Sequence, residues 1–304
     1  MELFRALAVF AEPPAKETAE LALALELGPL PDTSQYTELF VFQLYPYASV
    51  YLGEEGMLGG EARDRVAGFW RALGRTPPAE PDHLAVMLAL YAQLVEQEEA
   101  ASTAALKLGW RGARKAFLWE HLLSWLPLYL SKIEELAPPF YSKWAQLLLS
   151  ALMEEAEITG KPARLPLALR ESAGLADPRV DGVEEFLQSL LSSVRSGMIL
   201  TRADLSRAAH RLGLGLRLGE RKFILKALLG QDAAGMLGWL ARAAAASAKA
   251  HGPYLTSLGE VAGAWKARAL KTAALLTELE LTAVEAAAGA DPLSADLTRF
   301  APRV

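Results

Sequence analysis

Apolar residues in this chain recur at helical spacing, and nowhere do they alternate over a run long enough for a strand. Between Glu61 and Leu73, the residues Val66, Phe69, Trp70 and Leu73 fall at i, i+3, i+4 and i+7. From Asp82 to Glu99 a second stripe runs through Leu84, Met87, Leu88, Tyr91, Leu94 and Val95 before dissolving into Glu96, Glu98 and Glu99. Phe140, Trp144, Leu147, Leu148 and Ala151 form a third. Phe117, His121 and Trp125 recur every fourth residue, which predicts one shared face. Each stripe predicts a helix turned towards a core. The expected fold class is all-α.

The punctuation between stripes is rich in Gly and Pro: Gly53 to Gly60, Arg75 to Pro81, Pro138-Pro139, and Gly160 to Pro166. It predicts a helical bundle of two halves joined at a Pro-rich hinge near 75–82, all within a domain spanning 1–170. Residues 171–182 read as a linker, and 183–304 as an additional α-helical C-terminal region. Helices are expected there near 183–195, 202–212, 219–229, 233–250 and 255–288, with a frayed tail after Gly289. Pro127 lies inside an otherwise helical run, where it is expected to kink the helix or free the Leu123 carbonyl.

Composition narrows the function. Of 304 residues 52% are hydrophobic and 22% charged, which supports a sizeable core. The absence of cysteine excludes disulfides, thiol catalysis and Cys-ligated metal, and fits a cytoplasmic protein. Net charge is −5, unevenly spread: residues 1–170 hold 15 Lys/Arg against 22 Asp/Glu, residues 171–304 hold 16 against 14. The N-terminal part should therefore favour cationic partners. Met1-Glu2-Leu3-Phe4-Arg5 does not look like a secretory signal. The longest uncharged runs, Leu39 to Gly53 and His121 to Ser131, are shorter than the roughly 18–20 apolar residues of a membrane span. A soluble protein is expected.

Four groups of residues stand out. Glu80-Pro81-Asp82-His83 precedes the second stripe; Asp82 stands where a helix N-cap belongs, and the same residues also read as an acidic pair with a histidine presented at a hinge. His121 and Trp125, one turn apart, read either as core packing or as an aromatic wall with one polar tip. Tyr45, Tyr47 and Tyr51 with Trp70 read as core or as surface rings, core being the commoner case at this density. Lastly, Arg195, Arg202, Arg207, Arg211, Arg217, Arg221, Lys222 and Lys226 face only Asp204 and Glu220, in a stretch loosely like the opening of a helix-turn-helix. That run reads as a solvated face, or else as a nucleic-acid or acidic-protein contact. No phosphate-cradling loop, dinucleotide fingerprint, histidine pair or nucleophile elbow occurs, so no catalytic residue, metal or cofactor is expected.

Taken in order, Tyr45-Pro46 with Ser49 and Tyr51, Phe69-Trp70, Glu80-Pro81-Asp82-His83, His121-Leu122 with Trp125, and Phe140-Tyr141 resemble the TorD/DmsD/NarJ family of redox-enzyme maturation chaperones. The family's Glu-Pro-x-Asp-His signature is here one residue shorter. The resemblance spans roughly Glu38 to Glu157 and implies a chaperone, not an enzyme. It implies binding of the twin-arginine leader or N-terminus of an apo molybdenum-cofactor oxidoreductase, and help with cofactor insertion and assembly before export. The peptide-binding residues it implies are Trp70, Leu73, Glu80, Asp82, His83, His121 and Trp125. A monomer or a domain-swapped dimer suits so short a hinge. The alternative is a helical nucleic-acid-binding regulator using 195–226, against which the acidic balance and the lack of interleaved aromatics weigh.

Overall fold

The structure is a computed structural model that describes residues 2–289; the expected frayed tail lies outside them. The all-α expectation holds. Among the described residues there is no strand, only an isolated antiparallel bridge between Tyr47 and His83. The described residues divide into two compact units, one of residues 2–171 with 253–262, the other of 172–252 with 263–289.

The first unit opens with α1 (Glu2–Val9), α2 (Ala19–Ala24) and α3 (Thr33–Tyr36), the last running into a π-helical turn at Thr37–Gln43. Then come α4 (Ala48–Leu52), α5 (Gly60–Ala72), α6 (Leu84–Glu99) and α7 (Ala104–Phe117). A second π-turn, Leu118–Leu122, separates α7 from α8 (Leu126–Leu136), followed by α9 (Pro139–Thr159) and α10 (Leu167–Glu171). Pro127 does not kink a helix. It stands in the first turn of α8, where its missing N–H costs nothing because that position has no intrahelical acceptor.

Aromatic side chains fill this unit. Tyr51 stacks on Trp125 at 5.1 Å, and Tyr129 packs against both. Phe40, Tyr141 and Trp144 meet edge to face. Their polar tips are satisfied by main-chain carbonyls: Trp144 donates to Leu7, Trp125 to His121 and Tyr129 to Leu44. A buried indole N–H that lacks such an acceptor costs free energy, so most find one. Residues ahead of the recognisable motifs thus belong to this core, α1 packing through Phe4 on Tyr91 of α6. A buried ion network ties α6, α7 and α9: Arg114 reaches Glu98 at 3.0 Å and also pairs with Glu155, which accepts from Tyr91.

The second unit is built of α11 (Val183–Leu191), α12 (Ser193–Ser196), α13 (Arg202–Leu212), α14 (Arg221–Gln231) and α15 (Ala233–Ala250). The chain contributes α16 (Leu255–Leu258) to the first unit, and α17 (Glu260–Gly289) belongs to the second from Gly263 on. The core of the second unit is largely aliphatic, drawn from Leu187, Leu190, Leu205, Leu225, Leu228, Met236 and Leu240 around Phe186. α13 starts on a capping box between Thr201 and Asp204. Gly197, at φ 78°, lies against the main chain of α17: a β-carbon there would stand 2.3 Å from the Ala269 nitrogen. Between α13 and α14 runs an eight-residue loop, 213–220, rather than the three- to four-residue turn of a helix-turn-helix. Gly213 at φ 68° and Gly219 at φ 151° allow its path, and the helices expected near 202–212 and 219–229 left room for most of it.

Candidate peptide-binding site

The connection from α5 to α6 is held by backbone first. Leu84 N donates to Pro46 O at 2.8 Å and Ala48 N donates to Asp82 O at 3.0 Å, docking the segment on the start of α4. Arg63 braces it from α5 by donating to the Ala79 carbonyl.

Asp82 is only 2% exposed, and its carboxylate accepts from Ser49 N at 3.1 Å. It therefore caps α4 instead of α6, because the docking turns its side chain back towards residues 47–49. The α6 N-cap is His83, whose Nδ1 accepts from Ala85 N at 3.3 Å. Such acceptance requires a neutral ring, and burial does push the His83 pKa down, against the pull of Glu12, Glu80 and Asp82. Glu12 Oε1 stands 3.4 Å from His83, and the Tyr47 ring meets His83 edge-on at 4.8 Å. Tyr47 donates its hydroxyl to Glu80 at 2.8 Å, and burial followed by that bond raises its pKa. Tyr36 is raised to about 12 by burial and by Glu12. The result is a buried histidine and two tyrosines beneath two exposed carboxylates, Glu12 and Glu80.

Trp70 and Leu73 are half-buried at the end of α5, and the Trp70 indole Nε1 is buried without a hydrogen-bond partner. Its neighbour Phe69 touches the His121 ring at 5.5 Å, and Phe117 touches it at 5.2 Å. His121 is 7% exposed and burial lowers its pKa to about 4. It lines a cavity of about 330 Å³ together with Phe69, Lys115, Trp119, Glu120 and Arg164. Glu120 accepts from Leu167 N at 2.6 Å, yet burial still raises its pKa.

Trp125 does not join His121 on one face. The π-turn at 118–122 breaks the fourfold register, so His121 meets Phe69 and Phe117 while Trp125 turns to Tyr51 and Tyr129. Trp125 is 0% exposed and offers no surface to a ligand in this structure. Of the seven residues singled out in the sequence, the structure gathers Glu80, Asp82 and His83 into one cluster and brings His121 against α5 through Phe69. Glu12 was missed: it lies outside the motif, and only its distance to His83 reveals it. Among the described residues no group of three His, Asp or Glu is arranged to hold a metal, and no helix is long and apolar enough to cross a membrane.

Sequence comparison adds to this all-helical core and its Glu-Pro-Asp-His run at the α5–α6 connection. Residues 10–131 match the family model described as nitrate reductase delta subunit. The chain is 31% identical over 123 residues to the chaperone protein TorD of Vibrio vulnificus, covering 37% of this chain and 54% of that protein. It is 29% identical over 132 residues to TorD of Vibrio parahaemolyticus, covering 38% of this chain and 59% of that protein. Residues 10–131 are thus similar to the nitrate reductase delta subunit family and to curated TorD chaperones. The chain spans little more than half the length of the curated relatives it matches.

Proposed function

We propose that the chain is a maturation chaperone for a molybdenum-cofactor oxidoreductase, and that it acts by holding the leader or N-terminus of the apo-enzyme rather than by catalysis. The family-model match over residues 10–131 and the likeness to TorD chaperones support the class. The observation that carries the binding mode is the pair of exposed carboxylates, Glu12 and Glu80, over the buried His83–Tyr47 contact. Two arginines in tandem would meet one carboxylate each, in charge-assisted bonds. The apolar stretch that follows them would lie on Trp70, Leu73 and the cavity beside His121, where Phe69 and Trp119 offer flat apolar walls. Asp82 and Trp125 serve this reading from beneath, by fixing α4 and the aromatic core. Retention of the leader would delay export until cofactor is inserted.

Calorimetry tests the assignment with a leader peptide, intact and with both arginines changed to alanine, on wild type and on Glu12→Gln/Glu80→Gln. The double variant is expected to bind the intact leader roughly tenfold more weakly and the substituted one no differently from wild type. Equal binding in all four combinations removes the carboxylates from the site.

A further inference from the structure

The structure sorts the eight cations of the second unit's basic run. Arg195 pairs with Glu185, Arg207 with Asp204, and Lys222 and Lys226 with Glu184, while Arg221 donates to the Leu200 carbonyl. Arg202, Arg211 and Arg217 make no ion pair among the described residues. Two of these three frame the 213–220 loop, Arg211 at the end of α13 and Arg217 near the tip.

The loop is built to project. Gln231 pins its base from both sides, accepting from Gly215 N at 2.8 Å and donating to Gly215 O at 2.9 Å. Gly219, at φ 151°, lets the Phe223 ring fold against the far end, 2.9 Å from where a β-carbon would stand. Between these two anchors Leu218 is 94% exposed and Leu216 47%, and Phe223, in the first turn of α14 and folded against Gly219, is 49% exposed. Single exposed leucines are ordinary, but two on one short loop beside an exposed phenylalanine are a patch. From Arg211 to Arg221 there are three arginines and one carboxylate, Glu220.

We propose that this loop docks on an anionic lipid surface, with Leu216, Leu218 and Phe223 entering the interface and Arg211 and Arg217 meeting the headgroups. The alternation Leu216-Arg217-Leu218 delivers apolar and cationic groups from the same three residues. That suits a boundary where charge lies directly above hydrocarbon. A protein partner would need a groove deep enough to cover a leucine exposed on every side, and a nucleic acid would leave the leucines in water.

Co-sedimentation of the full chain with vesicles tests it, using equal parts phosphatidylglycerol and phosphatidylcholine against phosphatidylcholine alone. Wild type is expected to pellet with the anionic vesicles only. Leu216→Ser/Leu218→Ser should lower the partition coefficient at least tenfold, and Arg211→Gln/Arg217→Gln about fivefold for each arginine, with melting temperatures and leader affinity as in wild type. No pelleting with anionic vesicles overturns the proposal, as does unchanged pelleting of the leucine variant. Loop-dependent binding of poly-glutamate or of duplex DNA without vesicle binding overturns it in favour of an acidic protein or a nucleic acid.

Discussion

The α5–α6 connection and the 213–220 loop both present charge beside apolar groups, yet they are built in opposite ways. At the first, the carboxylates of the motif have partners underneath: Asp82 accepts from Ser49 N and Glu80 from the Tyr47 hydroxyl, while Glu12, outside the motif, lies beside His83. At the second, Leu218 and Arg217 stand clear of the fold, while Leu214 and Gly215 are held by hydrogen bonds at its base and Gly219 lies against the Phe223 ring. A substitution in the first should therefore be felt through the core. One at the tip of the second should be felt only by whatever the loop meets. The difference separates residues that shape a surface from residues that are the surface.

The largest test of that distinction is Trp125→Ala. It removes a fully buried indole, its stack on Tyr51 and its bond to the His121 carbonyl, and should cost about 3–5 kcal/mol in urea unfolding. A loss below about 1 kcal/mol would show that the aromatic core does not support the site. Next comes pH. His121 is held neutral in the fold, with its pKa near 4, whereas the unfolded chain protonates near about 6.5. Its contribution is present above the unfolded value and is lost as pH falls towards the folded one. Stability of the first unit should thus drop by up to about 1.4 kcal/mol per pH unit between roughly pH 6 and 5 for this group. His121→Phe should flatten that slope, as denaturant midpoints across the range would show. The smallest effect is that of Asp82→Ala, which strips the cap from α4 and leaves Ser49 N buried without its acceptor, at about 1–2 kcal/mol. Thermal unfolding that matches wild type would place Asp82 among the surface residues after all.

Much of the helical layout was legible because it rests on periodicity. The stripes over Val66–Leu73 and Leu84–Val95 became α5 and α6, and α13 spans the residues expected of it. What periodicity could not carry was any local departure from 3.6 residues per turn. The π-turn at 118–122 parted Trp125 from His121 although their spacing promised one face. Nor could sequence say which helix a carboxylate caps: Asp82 precedes α6 in the chain but lies over α4 in space. Glu12 and the Arg114–Glu155 pair were invisible for the same reason, their partners being 41 or more residues away. Pro127 was read as an interruption because the end of one helix and the start of the next look alike in a continuous apolar run. By contrast, the 213–220 loop was largely legible, because helices expected near 202–212 and 219–229 leave a gap between them that the structure widens by two residues.

Gly197 carries a consequence for how freely the second unit can drift in evolution. With the Ala269 main chain occupying the space a side chain would need, even alanine is shut out. In a saturation library this codon should come back unchanged among folded survivors, while Leu218, twenty-one positions on, should accept nearly anything.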